Sequence, residues 1–146
     1  MYKRIVLAYD GSESGQKALL EGFDIAQWSH GDLFLVAVVP DLVAAAFGIE
    51  GGLYHGLGEA ETGRQYRAIL EQGLEQISGR GITATGEVLT GDSVEEITKF
   101  ARRRDADLIV VSHKHREGWA ARWWSGSTSP ALIEHAHCSV LVVITQ

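Results

Sequence analysis

DLIVVSHKHREGWAARWWSGSTSPALIEHAHCSVLVVI, the stretch from Asp107 to Ile144, decides the fold. Leu108–Val111 and Val140–Ile144 are short continuous apolar runs, the pattern of strands covered on both faces in a parallel sheet. Between them come a loop of basic and aromatic residues, the turn Gly126-Ser127-Thr128, and a helix expected from about Ser127 to His137 with Pro130 in its first turn. A strand that empties into a loop and then a helix N-terminus is where open α/β sheets hold phosphorylated ligands, because free N–H groups and the helix dipole converge there.

Working outward, the rest of the chain repeats the alternation. Arg4–Ala8 is an apolar run stopped by Asp10-Gly11-Ser12. Ser12 or Ser14 then caps a helix to about Ser29, with Ala18, Leu19, Gly22, Phe23 and Ala26 on one face. Leu33–Val39 is a second run, closed by Pro40. Asp41 to Glu59 carries five glycines between Gly48 and Gly58; it is expected to be irregular and mobile, being too long for an ordinary connection. A helix from Glu61 to Gly79 places Tyr66, Leu70, Leu74 and Ile77 on one face. After Gly81, Ile82, Ala84, Gly86 and Val88 alternate with Thr83, Thr85 and Glu87, which suits an edge strand wet on one side. Gly91-Asp92-Ser93 opens a helix expected to bury Val94, Ile97 and Ala101.

Right-handed crossovers assemble these elements into one α/β domain over residues 1–146. The fold expected is an open five-stranded parallel sheet, order 3-2-1-4-5, with helices on both faces. Val140–Ile144 then lies at an edge and is too apolar to stay open to water. A homodimer formed through that strand would cover it.

Composition limits the function classes. One cysteine, Cys138, excludes an intramolecular disulfide and fits a reducing compartment; it is read as a packing residue. No apolar run approaches the roughly 20 residues of a membrane span, and MYKRIVLAYD opens on a strand rather than a signal peptide. The net charge of −6 argues against general nucleic-acid affinity. Charge is unevenly spread: Lys99 to Arg122 holds seven Lys or Arg against three acids, +4, leaving −10 elsewhere. That segment is either a solvated helix end and loop or an anion-facing rim beside the Gly126 turn.

VLAYDGSESGQKAL, LTGDSVEEI, DLIVVSH and EHAHCSVLVV, taken in this order and spacing, resemble the universal stress protein family over essentially the whole chain. The resemblance implies the five-stranded sheet above, dimerisation through the last strand, a cytoplasmic stress role and, in one branch, ATP at the carboxyl ends of the strands. It implies that Asp10 contacts the nucleoside and that the Val38 backbone contacts the adenine. It also implies a phosphate loop, Gly-x2-Gly-x9-Gly-Ser/Thr, immediately after the fourth strand. Here the first two glycine positions are Ser112 and His115, and ten residues precede Gly126-Ser127. Glycine serves such loops by reaching positive φ and letting phosphate approach the backbone; serine and histidine do both poorly.

Other residues carry two readings each. Asp10 either closes a turn and helps cap the first helix or contacts a nucleoside. His113 and His115, two apart in the basic loop, lack an evident third metal ligand and are read as solvated or phosphate-facing. Trp119, Trp123 and Trp124, with Arg122, either stack on an adenine or a partner or fold over the cleft mouth.

No segment pairs a nucleophile with a base in a recognisable motif, and no Gly-Lys-Ser/Thr of a Walker loop is present; slow ATP hydrolysis is the most the sequence allows. The function expected is a regulatory or interaction homodimer with an unidentified protein partner and weak or absent ATP binding. The alternative is an adenine-nucleotide-binding stress protein working through Gly126, Ser127 and Thr128. The nucleotide-contacting set on either reading is Asp10, Val38, Gly91, Ser112, His115, Gly126, Ser127 and Thr128, with no metal.

Overall fold

The computed structural model describes residues 1–40, 52–114 and 128–145, the side chains at 40, 52–60, 128 and 129 excepted. Five strands, β1 (Arg4–Ala8), β2 (Asp32–Pro40), β3 (Ala84–Gly91), β4 (Leu108–Lys114) and β5 (Ser139–Thr145), alternate with helices α1 (Glu13–Ser29), α2 (Gly52–Ile77), α3 (Ser93–Arg103) and α4 (Thr128–His135). The sheet has the order β3-β2-β1-β4-β5, and every pair in it is parallel. The fold matches the expected class and strand order.

Two apolar layers hold the sheet. On one face Ile5, Leu7, Leu33, Leu35 and Val110 pack under Ala18, Leu19, Phe23 and Ala26 of α1 and Leu70 and Ile77 of α2. On the other, Val6, Val36, Ile109 and Val111 meet Ile97, Phe100 and Ala101 of α3 and Leu132 of α4. Each fully buried aliphatic side chain contributes about 1.5–3 kcal/mol. At the amino edge, the Asp107 carboxylate accepts from the backbone N–H groups of Lys3, 2.8 Å, and Arg4, 3.1 Å, and so ties the start of β1 to the start of β4.

The structure corrects four local readings. α2 begins at Gly52, not near Glu61, so part of the stretch expected to be irregular is helical; residues 41–51 lie outside the described residues. Each glycine in a helix costs about 1 kcal/mol relative to alanine, but extending a nucleated helix is cheap, and Leu53, Tyr54, His55 and Leu57 separate the three glycines Gly52, Gly56 and Gly58. β4 runs three residues past Val111, pairing Ser112 with Val143 and His113 with Ile144. His113 is therefore a strand residue, not a loop residue, because β5 offers a paired ladder to that length. In α3 the buried aromatic is Phe100, at 2% exposure, whereas Val94 is only half-buried. The last helix is also shorter than expected, ending at His135.

The basic segment carries two readings, a solvated helix end and loop or an anion-facing rim. α3 runs antiparallel to the strands for 11 residues, about 16 Å. That carries Arg102, Arg103 and Arg104 toward the amino edge of the sheet, away from the carboxyl ends of the strands. There Arg104 lies over the rings of Phe34 and Phe100 at 5.4 and 5.3 Å and Arg103 lies over Phe100 at 5.5 Å. Lys99 is paired with Glu95 at 2.8 Å. These cations cover aromatic surface and complement the α3 C-terminus, as the helix-end reading expects, whereas Arg116 and Arg122 lie outside the described residues.

Candidate functional site

A cleft of about 170 Å³ opens at the carboxyl ends of the central strands, lined by Ala8, Tyr9, Asp10, Val36, Val38, Tyr66, Ser93, Ile97, Val111 and Ser112. Its floor is aliphatic, supplied by β1, β2 and β4. Its sides come from helices on opposite faces of the sheet, Tyr66 from α2 and Ser93 and Ile97 from α3. β1 leads into α1 on one face, whereas α3 crosses to β4 on the other, so the cleft sits at the topological switch point where open α/β sheets hold ligands.

Each polar group here is positioned by a local rule. The Tyr9 N–H donates to the Val36 carbonyl at 2.8 Å, continuing the β1–β2 ladder one residue past β1. Asp10 then turns the chain into α1: its Oδ1 accepts from the Ser12 N–H at 3.0 Å and the Ser12 hydroxyl at 2.6 Å. Ser12 is the N-cap and accepts from the Gly15 N–H at 3.0 Å. Gly11 makes the bend at φ 76°, with the Ile69 side chain of α2 packed against it. Tyr9 is 4% exposed. Its burial, and then the neighbouring Asp10 carboxylate, push the phenol pKa upward. On the far side Asp92 caps α3 by accepting from the Glu95 N–H at 3.0 Å, which sets Ser93 at the cleft.

Of the residues expected at the site, the structure brings Asp10, Val38 and Ser112 together in the cleft. Gly91 ends β3 opposite Pro40 and is not among the lining residues. Thr128 begins α4, its side chain lying outside the described residues. His115, Gly126, Ser127 and the cluster Trp119, Arg122, Trp123 and Trp124 also lie outside them. Both roles weighed for Asp10 are compatible with its geometry: Oδ1 closes the turn, and Oδ2 has no hydrogen-bond partner among the described residues. Sequence reasoning missed Tyr9, Ser93 and the open face of Tyr66. Among the described residues no group of three or more His, Cys, Asp or Glu is placed to hold a metal ion, and no helix is long and apolar enough to cross a membrane.

The chemistry of the cleft is narrow. Asp10 is the one charged residue among its lining residues, beside an aliphatic floor, two aromatic rings and two serine hydroxyls. Such walls suit a small, planar, largely uncharged group with hydroxyls to exchange with a carboxylate. The volume is below the roughly 300–1,000 Å³ of a typical ligand pocket.

An open parallel sheet with such a cleft at its switch point defines a doubly wound α/β protein. Comparison with known proteins narrows the class. The family model described as Universal stress protein family matches residues 1–143. A universal stress protein of Methanocaldococcus jannaschii is 30% identical over 98% of this chain and 82% of its own length. The chain belongs to the universal stress protein family. Among solved structures, a universal stress protein in complex with cAMP aligns with TM-score 0.73 at 21% identity, covering 99% of this chain and 98% of that one. A universal stress protein from Archaeoglobus fulgidus in complex with dAMP aligns with TM-score 0.66 at 20% identity, covering 97% and 98%. At those identities the likeness is one of fold.

Proposed function

We propose that this chain is a cytoplasmic regulatory protein of the universal stress type, acting as a homodimer through β5 toward a protein partner. Its cleft takes the nucleoside end of an adenine nucleotide and holds a triphosphate weakly or not at all. The observation that carries this reading is the extension of β4 through Ser112, His113 and Lys114. The family resemblance starts the phosphate loop at Ser112, yet here that residue is paired with Val143. A phosphate cradle needs backbone N–H groups free and converging, whereas an extended strand directs successive N–H groups to opposite sides, and here one side is taken by β5. Two glycine replacements, Ser112 and His115, act in the same direction.

The dimer is supported by the β5 edge. Val140, Leu141 and Val142 are only half-buried in the single chain, and Ile144 is 54% exposed. A second reading, tighter nucleotide binding through the Gly126 turn, is favoured by one observation: solved relatives of this fold hold cAMP and dAMP. Calorimetric titration with adenosine, dAMP and ATP decides between the two. Affinities that change little along the series support the proposal. A steep rise with phosphate number would favour the second reading.

A further inference from the structure

Two aromatic rings line the cleft, and they differ in what they offer a ligand. Tyr9 is almost fully buried and its ring edge abuts α2, where a Cβ at Gly73 would lie 2.6 Å from Cε1. Tyr66 is half-buried, packed at the margin of the core. Four residues further along the same helix face, Leu70 is 1% exposed. The inward face of α2 thus passes from closed core to open cleft at Tyr66.

The placement of that ring is built. α2 is seated by two close approaches in the two turns that follow Tyr66: Ile69 packs onto the Gly11 bend, and Gly73 lies against Tyr9. A helix fixed at residues 69 and 73 fixes the direction of residue 66. Across the cleft stand Val38 of β2 and Ile97 of α3, both apolar.

We propose that Tyr66 is the stacking residue of this cleft, the platform against which a nucleobase lies, with Val38 and Ile97 on its other side. The inference rests on the reading of the cleft as a nucleoside site, and adds that recognition depends on an aromatic ring from α2. The ligand portion seated here is a planar, uncharged heteroaromatic ring; Asp10, Ser93 and Ser112 are left to meet the hydroxyls of its sugar. Base–aromatic stacking measured by substitution corresponds to about 5- to 100-fold in affinity.

The test uses adenosine with the native protein, Tyr66→Phe and Tyr66→Leu. Leucine keeps an apolar side chain and a good helix former while removing the ring. The expected result is binding within about twofold for the phenylalanine variant and a loss of about 5- to 100-fold for the leucine variant. A measurement on the native protein alone gives a second readout: the adenosine H2 and H8 resonances shift upfield on binding, from the ring current of the stacked tyrosine. Equal binding by native protein and Tyr66→Leu, or no upfield shift, overturns this inference and leaves the nucleoside reading standing. No adenosine binding by the native protein overturns the nucleoside reading, and this inference with it.

Discussion

Oδ1 of Asp10 occupies the space that a side chain on Gly15 would need. The first turn of α1 therefore lacks a Cβ at the point where the carboxylate folds over it and takes both hydrogen bonds of Ser12. Glycine near a helix start normally costs stability, and here the cost permits a fixed carboxylate at the cleft.

That relationship couples the two residues energetically. Gly15→Ala should destabilise the native protein by about 1–2 kcal/mol, by overpacking and by loss of the turn. In an Asp10→Ala background, where the Ser12 hydroxyl at 3.2 Å is the remaining close neighbour of the new Cβ, the same change should cost about 1 kcal/mol less. Urea unfolding of the four proteins of this cycle provides the check. Additive effects would mean that the two residues do not share the space.

A second pair of glycines on one helix should behave oppositely. An alanine at Gly73 would meet Tyr9 at 2.6 Å and Leu35 at 3.2 Å, so Gly73→Ala should cost about 1–3 kcal/mol. At Gly63 nothing lies within 4 Å, and Gly63→Ala should gain about 0.4–1 kcal/mol. The two unfolding midpoints should move in opposite directions.

Assembly is addressed at Ile144, which is 54% exposed at the free edge of β5. Sedimentation equilibrium should find a dimer for the native chain at micromolar concentration. Ile144→Lys should shift it to monomer, since a charged residue on an edge blocks pairing. Its effect on monomer stability should stay within about 0.5 kcal/mol. A native protein that sediments only as monomer would remove the dimer.

The raised pKa of Tyr9, caused by burial and then by Asp10, has a consequence at alkaline pH. The unfolded chain loses this proton at a lower pH than the native protein does. The contribution is fully present below about pH 10, the unperturbed value, and is lost as pH rises through the higher native value. Tyr9→Phe should flatten the fall in stability above about pH 10 relative to the native protein. Cys138, whose thiol is also pushed up, by burial and then by Asp107, adds a similar fall from a lower starting pH. Both measurements therefore belong in a Cys138→Ala background.

The sheet was legible because its evidence is local. The apolar runs of β1, β2, β4 and β5 and the alternation in β3 give the strand order, and the face of α1 read from Ala18 to Ala26 is buried as expected. The cleft was only partly legible. Asp10 and Ser112 follow apolar runs and draw attention, but Tyr9 looks like the last residue of such a run, and Tyr66 has the spacing of a core position. Only the packing of α2 and α3 on opposite faces at the strand ends brings positions 9, 66, 93 and 97 around one cleft, and no local pattern encodes that meeting. The same holds for Arg102–Arg104: their charge is visible in sequence, whereas their position at the far end of α3 follows from the antiparallel run of that helix.

The central claim is that this cleft grips a nucleoside while its altered loop denies the phosphates a cradle. The direct measurement is the ratio of ATP to adenosine affinity, by calorimetry, in the native protein and in a repaired variant. That variant carries Ser112→Gly and His115→Gly, with one residue deleted between Arg116 and Ser125. Residues in disfavoured backbone regions cost on the order of 1–3 kcal/mol each, so repair should raise the ratio by about tenfold or more, with adenosine affinity little changed. A native protein that already binds ATP orders of magnitude more tightly than adenosine would contradict the account.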